Sequence, residues 1–173
     1  DIKGKALQVP VRILLGGTDE PIPCYATGMY YRDDKPEIEM LKELLEEAAG
    51  YVAAGYTFLK VKIGKNPEFD RALVKQFRAR FPDTFIAADA NHAYNFKEAF
   101  AMARLLESLN YSWFEEPLAP DNYDDMAALR ASTAVPIASG ECEQTRFGFQ
   151  RLAQTKSLDI VQPDIAYCGG LSE

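Results

Sequence analysis

Two rhythms of apolar and polar residues alternate along this chain. Short apolar runs at 21–26, 58–63, 85–88, 112–115, 136–138 and 158–162 read as buried strands. Between them apolar residues recur at helical spacing. Ile38, Leu41, Leu44, Leu45, Ala48 and Val52 form one stripe, with Pro36 suited to its first turn and Gly55 to its stop. Leu73, Val74 and Phe77 mark a helix opened by Asn66-Pro67-Glu68. Asn95 followed by Glu98 predicts a capping box ahead of Phe100, Ala103, Leu106 and Leu109. Further helices are expected over 123–131 and 146–154. Regular alternation of strand and helix predicts an α/β fold with a parallel sheet and crossover helices. A complete β/α barrel runs to about 250 residues. The 173 residues here therefore predict a partial TIM-like barrel with about six of its strands.

The strand ends carry the chemistry. Asp89, Glu115 and Glu141 close successive strand-like runs, each 26 residues after the one before. Lys60 and Lys62 end the run ahead of them, and Asp164 ends the run after. One acid per β/α unit, at the strand's C-terminal end, is how a barrel assembles a site at its mouth. Converging carboxylates stay ionised together only when a cation neutralises them. Side chains alternate along a strand, so Lys60 and Lys62 share a face, as do Asp89 and Asn91, and Gln162 and Asp164. Two lysines in a strand flanked by Phe58, Leu59, Val61 and Ile63 need anionic partners. All-oxygen ligands favour Mg²⁺ or Mn²⁺ over zinc, and the single histidine excludes a histidine-rich metal centre.

Composition narrows the class. Apolar residues make up 47% and charged residues 26%, as in folded soluble proteins. A net charge of −7 argues against a nucleic-acid groove or an anionic membrane surface. No long uncharged apolar run and no signal peptide stand out. Cys24, Cys142 and Cys168 are odd in number and widely spaced, which makes neither a disulfide framework nor a zinc site. A cytoplasmic protein is the expectation.

Five motifs in order resemble the mandelate racemase-like branch of the enolase superfamily (the mandelate racemase/muconate lactonizing enzyme family). They are Lys60-x-Lys62, Asp89-x-Asn91, Glu115-Glu116-Pro117, Gly140-Glu141 and Gln162-Pro163-Asp164. The resemblance implies that residues 1–173 are an incomplete C-terminal barrel domain. A capping domain would precede Asp1, a further helix would begin near Gly169–Glu173, and two more strands would follow. It implies Asp89, Glu115 and Glu141 as Mg²⁺ ligands. Lys62 would be the base on one face of the substrate, and Lys60 would neutralise the substrate carboxylate. Asn91 would hydrogen-bond substrate, and Asp164 would orient a histidine base on the next strand. The implied reaction is removal of the proton α to a carboxylate, giving a metal-stabilised enediolate. Dehydration of a sugar acid is the leading outcome, and racemisation or epimerisation of a small anionic carboxylate is the alternative. A cycloisomerase fits the pattern less closely, and a non-catalytic barrel is the remaining class. The full-length protein would be a homo-oligomer. Four further positions carry smaller expectations. Glu116 is expected to pair with Lys60 or Lys62, His92 to point away from the site, Cys142 to fill space near the mouth, and Trp113 and Phe114 to lie in the core.

Overall fold

The computed structural model describes residues 1–171. Two short helices, α1 (Ile2–Leu7) and α2 (Val11–Leu14), lead into a strand–helix alternation. It runs β1 (Ala26–Gly28), α3 (Glu37–Ala53), β2 (Phe58–Lys62), α4 (Pro67–Arg80), β3 (Phe85–Asp89), α5 (Phe96–Ser108) and β4 (Phe114–Glu115). It continues through α6 (Tyr123–Ala131), β5 (Ile137–Ser139), α7 (Thr145–Thr155) and β6 (Ile160–Val161). The six strands form one sheet in sequence order, every neighbouring pair parallel. A sheet that adds each strand beside the last is wound in one direction, as a β/α barrel is. Among the described residues no helix is long and apolar enough to cross a membrane.

The first strand differs from expectation. The apolar run predicts it at 21–26, yet pairing with β2 starts only at Ala26, opposite Leu59. Pro21 and Pro23 have no N–H to give to a ladder, which weakens strand pairing in that stretch despite its apolar character. Helix starts match their local chemistry. The Asn66 side chain accepts a hydrogen bond from the N–H of Phe69, with Pro67 in the first turn. Asn95 and Glu98 form both bonds of the predicted capping box. The expected helix near Gly169–Glu173 is a turn as far as Leu171, and Ser172 and Glu173 lie outside the described residues.

The sheet's outer face makes the core. Leu59, Val61, Ile86, Ala88, Phe114 and Ile137 are fully buried beneath the helices. Met40, Leu44 and Ala48 of α3, Leu73 and Phe77 of α4, Met102 and Leu106 of α5, and Met126 and Leu129 of α6 cover them in one continuous cluster. The other face of the sheet looks inward. Its lower layer is aromatic: the Phe58 ring centroid stands 4.8 Å from Trp113, 5.8 Å from Tyr25 and 5.9 Å from Phe85.

One arginine ties the lower rim together. Arg78, in the last turn of α4, donates to five backbone carbonyls: Leu109, Phe81, Pro82, Thr84 and Asn110. It thereby satisfies acceptors after α4 and after α5 with a single planar cation. At the upper rim Gly64 turns with φ +105°, and a Cβ there would lie 2.6 Å from Ala93 Cβ. The missing side chain lets the loop after β2 pass against the loop after β3.

Candidate active site

Register sets the site. Lys62 pairs with Asp89 and Asp89 with Glu115, so the ends of β2, β3 and β4 place three charged side chains in one layer of the inner face. Lys60 lies one layer deeper, opposite Ala87, where the small side chain leaves room for it. Lys60 Nζ reaches Glu115 Oε1 at 2.6 Å and Asp89 Oδ2 at 3.1 Å. Lys62 Nζ reaches Asp89 Oδ2 and Asn91 Oδ1, each at 2.6 Å. Asn91 also donates through its backbone N–H to Asp89 Oδ1 and through its amide to Glu116 Oε2, both at 3.1 Å. The five residues expected from β2, β3 and β4 thus form one bonded cluster.

The two lysines differ in setting. Lys60 is 7% exposed, and its ammonium lies 5.5 Å over the Tyr25 ring. Burial works against its charge, but the Glu115 hydrogen bond and the charges of Glu115 and Asp89 outweigh burial and raise its pKa. Lys60 therefore stays an ammonium at neutral pH and is unsuited to taking a proton. Burial likewise opposes the Asp89 carboxylate, while the hydrogen bond from Lys62 and the charge of Lys60 hold its pKa below the ordinary value.

Glu141 and Asp164 stand apart from this cluster. Glu141 lies two residues beyond β5, after Gly140 (φ +127°), and is exposed. Its carboxyl pKa is raised by partial burial and then by the charges of Glu116 and Asp89, so it shares their field. Asp89, Glu115 and Glu141 do not, as a set, bring ligand oxygens within 4.8 Å of one another. The lysines hold Asp89 Oδ2 and Glu115 Oε1 in this arrangement. Asp164 is exposed and caps its own turn, accepting the N–H of Ala166 at 2.8 Å.

Other residues depart from their sequence expectations. Glu116 is buried at 1% exposure and pairs with His92 and Asn91, not with either lysine. His92 does not point away. Asn91, His92 and Glu116 adopt left-handed φ of 41°, 65° and 45°, which ends strand alternation and folds His92 back over β4. The His92 N–H donates to the Glu116 carbonyl at 2.8 Å. Cys142 is exposed, with Sγ 3.5 Å from His92 Nε2. Phe114 is core as expected, but Trp113 lies on the inner face and donates from Nε1 to Glu115 Oε2 at 2.9 Å. Gln162 donates to the same oxygen at 3.0 Å. Both supports of Glu115 were readable: Trp113 lies two residues before it, and Gln162 two before Asp164, each on the shared face.

The donor set suits a hard divalent cation. Lys60 and Lys62 stand among the carboxylates of Asp89, Glu115 and Glu141, which leaves the acids in excess, while Glu116 pairs with His92. Glu116 Oε1 is buried without a hydrogen-bond partner. An excess of negative charge on all-oxygen donors suits a hard cation of the Mg²⁺ class.

Residues 43–173 match the enolase C-terminal domain-like family. The chain is 41% identical, over all of its length, to 46% of an arabinonate dehydratase of Saccharolobus solfataricus. It superposes with TM-score 0.90 on the 3,6-anhydro-D-galactonate cycloisomerase of Zobellia galactanivorans. That protein is 43% identical, with 100% of this chain and 47% of that one covered. An L-talarate dehydratase of a Polaromonas species, solved with Mg and L-glucarate, superposes at 0.85 with 26% identity, covering 98% of this chain and 46% of that one. The chain spans about half the length of the curated relatives it matches. Agreement of this extent in both sequence and fold means that the chain belongs to the enolase C-terminal domain-like family, in the mandelate racemase-like branch of the enolase superfamily.

Proposed function

We propose that this chain supplies the catalytic inner face of a Mg²⁺-dependent sugar-acid dehydratase, as part of a longer protein with a capping domain and further barrel strands. The observation that carries the reading is the pair of lysines on one strand face, bonded to acids that end the next two strands. Asp89, Glu115 and Glu141 would hold the metal, Glu141 after a side-chain rotation. Bound there, Mg²⁺ supplies a Lewis acid for a substrate carboxylate whose charge grows as the α-proton leaves.

The protein's own groups divide the remaining work. Lys60, fixed as a cation, places positive charge beneath the carboxylate. Lys62 sits at the rim, where its ammonium is held by Asp89 and Asn91. To take the α-proton Lys62 would have to leave these partners and give one ammonium proton to solvent, which would leave a neutral amine as the base. Asn91 offers its amide to a substrate hydroxyl. Asp164 would orient a histidine from a segment beyond this chain, which would protonate the departing β-hydroxyl.

The relatives also favour a second reading, cycloisomerisation of a sugar-acid lactone or anhydro-sugar acid. The arabinonate dehydratase and the anhydro-galactonate cycloisomerase lie at similar identity, so the cycloisomerase class stands higher than the motifs alone suggested. Racemisation uses the same first step and the same Lys62. The test is a panel of aldonic and aldaric acids, their lactones and anhydro-aldonic acids with the full-length enzyme in D₂O. Formation of a 2-keto-3-deoxy acid supports dehydration, and ring opening without loss of water supports cycloisomerisation. Lys62→Ala should abolish α-proton exchange while Mg²⁺ affinity holds. Exchange that survives Lys62→Ala removes that residue from the mechanism.

A further inference from the structure

Beside the lysine–acid cluster, side chains from three successive loops meet at one point. They are His92 after β3, Glu116 after β4 and Cys142 after β5. His92 Nε2 lies 3.1 Å from Glu116 Oε2 and 3.5 Å from Cys142 Sγ, and the ligand atoms of all three fall within 4.8 Å of one another. His92 Nδ1 is 3.0 Å from the Leu118 carbonyl, which only accepts, so Nδ1 carries a proton. In a neutral ring Nε2 would be a bare lone pair facing a carboxylate oxygen, and the Glu116 hydrogen bond accordingly raises the His92 pKa. Such a pair needs a Lewis acid, either a proton or a metal ion. A proton on Nε2 serves Glu116 Oε2 alone. It leaves Oε1 buried and unpartnered, in a residue only 1% exposed.

The same geometry excludes a cysteine–histidine–acid relay. A relay needs thiol and carboxylate on opposite ring nitrogens. Here both approach Nε2, which is how ligands surround an ion. Tetrahedral zinc, with bonds of about 2.0 Å to nitrogen and about 2.3 Å to sulfur, sets those atoms about 3.5 Å apart. The left-handed backbone at Asn91, His92 and Glu116, and the bond from the His92 N–H to the Glu116 carbonyl, hold two of the three groups in place.

We propose that His92, Glu116 and Cys142 bind one thiophilic divalent cation of the zinc class, at a site adjoining the Mg²⁺ ligand set and distinct from it. Thiolate and imidazole ligands select such ions over Mg²⁺. Each of the three is an immediate chain neighbour of Asn91, Glu115 or Glu141, so an ion here would clamp the loops that carry the catalytic layer.

The test is titration of the purified protein with Co²⁺ in saturating Mg²⁺. One Co²⁺ per chain should bind with a thiolate-to-metal charge-transfer band in the near ultraviolet, and Zn²⁺ but not further Mg²⁺ should remove the band. Cys142→Ser should abolish the band, and His92→Ala should weaken binding by about tenfold or more. Cys24→Ser, an exposed cysteine elsewhere, should leave both unchanged. Circular dichroism checks that each variant is folded. Absence of the band in the unaltered protein, its survival in Cys142→Ser, or its loss to Mg²⁺ overturns the proposal.

Discussion

Replacing Lys60 with methionine tests whether the inner-face cluster is a buried ionic site. Methionine keeps most of the side-chain volume while removing the charge, so packing changes little. What changes is the counter-charge of two carboxylates that are themselves buried, Asp89 at 0% and Glu115 at 2% exposure. Removing one partner of a buried ion pair costs about 3–5 kcal/mol, because the other is left uncompensated. Lys62 still reaches Asp89, so Glu115 bears most of the loss. For a chain of this size each kcal/mol lowers Tm by about 2–4 °C, which predicts a drop of about 6–20 °C. Trp113 is the single tryptophan and is bonded to Glu115, so its fluorescence reports unfolding from within the site. Urea unfolding should show the loss without metal and recover part of it in Mg²⁺. A loss below about 1 kcal/mol, the worth of an exposed pair, would refute the reasoning, since it would mean that water already shields the cluster.

Three further outcomes are expected. Arg78→Ala should lose about 3 kcal/mol in urea unfolding, since charged hydrogen bonds are worth about 1.5–3 kcal/mol each and some of the freed carbonyls rehydrate; Arg78→Lys, without the planar fork, should recover less than half. Gly64→Ala should cost about 1–3 kcal/mol by thermal melt, from its positive φ and the contact with Ala93. Burial raises the pKa of Asp70 above its ordinary 3.8, with Tyr94 donating to it at 2.7 Å. A raised acid contributes stability below pH 3.8 and loses it as pH climbs through the folded value. The stability of Asp70→Asn relative to the unaltered protein should therefore rise with pH across that window and then level off, as read by urea unfolding at several pH values.

The strand–helix order and the strand-end acids were legible because both depend on local rules. Buried parallel strands are short and apolar, helix starts carry Asn66-Pro67 and Asn95-x-x-Glu98, and parity puts Lys60 with Lys62 and Asp89 with Asn91. These rules fail where the backbone leaves regular geometry. The left-handed residues at 91, 92 and 116 cancel parity, so His92 turns inward and Glu116 finds the imidazole instead of a lysine. Asn91 and His92 are residue types enriched in the left-handed region, a signal that parity alone does not use, whereas Glu116 carries no such mark. The first strand was misplaced for a different reason: periodicity weighs side chains, and the prolines at 21 and 23 act through a missing backbone donor. Trp113 was assigned to the core from its size, although its place two residues before Glu115 already set it on the inner face.

The Arg78 clamp bears on how the molecule opens. Its carbonyl acceptors lie in the segments that lead from α4 to β3 and from α5 to β4. A fluctuation that lifts either segment must break bonds shared with the other, so the stretch from α4 to the start of β4 behaves as one cooperative unit. Amides of β3 should then exchange with deuterium at the rate of those in α5, not at the faster rate of frayed ends. Asp89 and Asn91 ride on that unit. Their positions are steadied from the far end of the strand, by an arginine that never approaches the substrate.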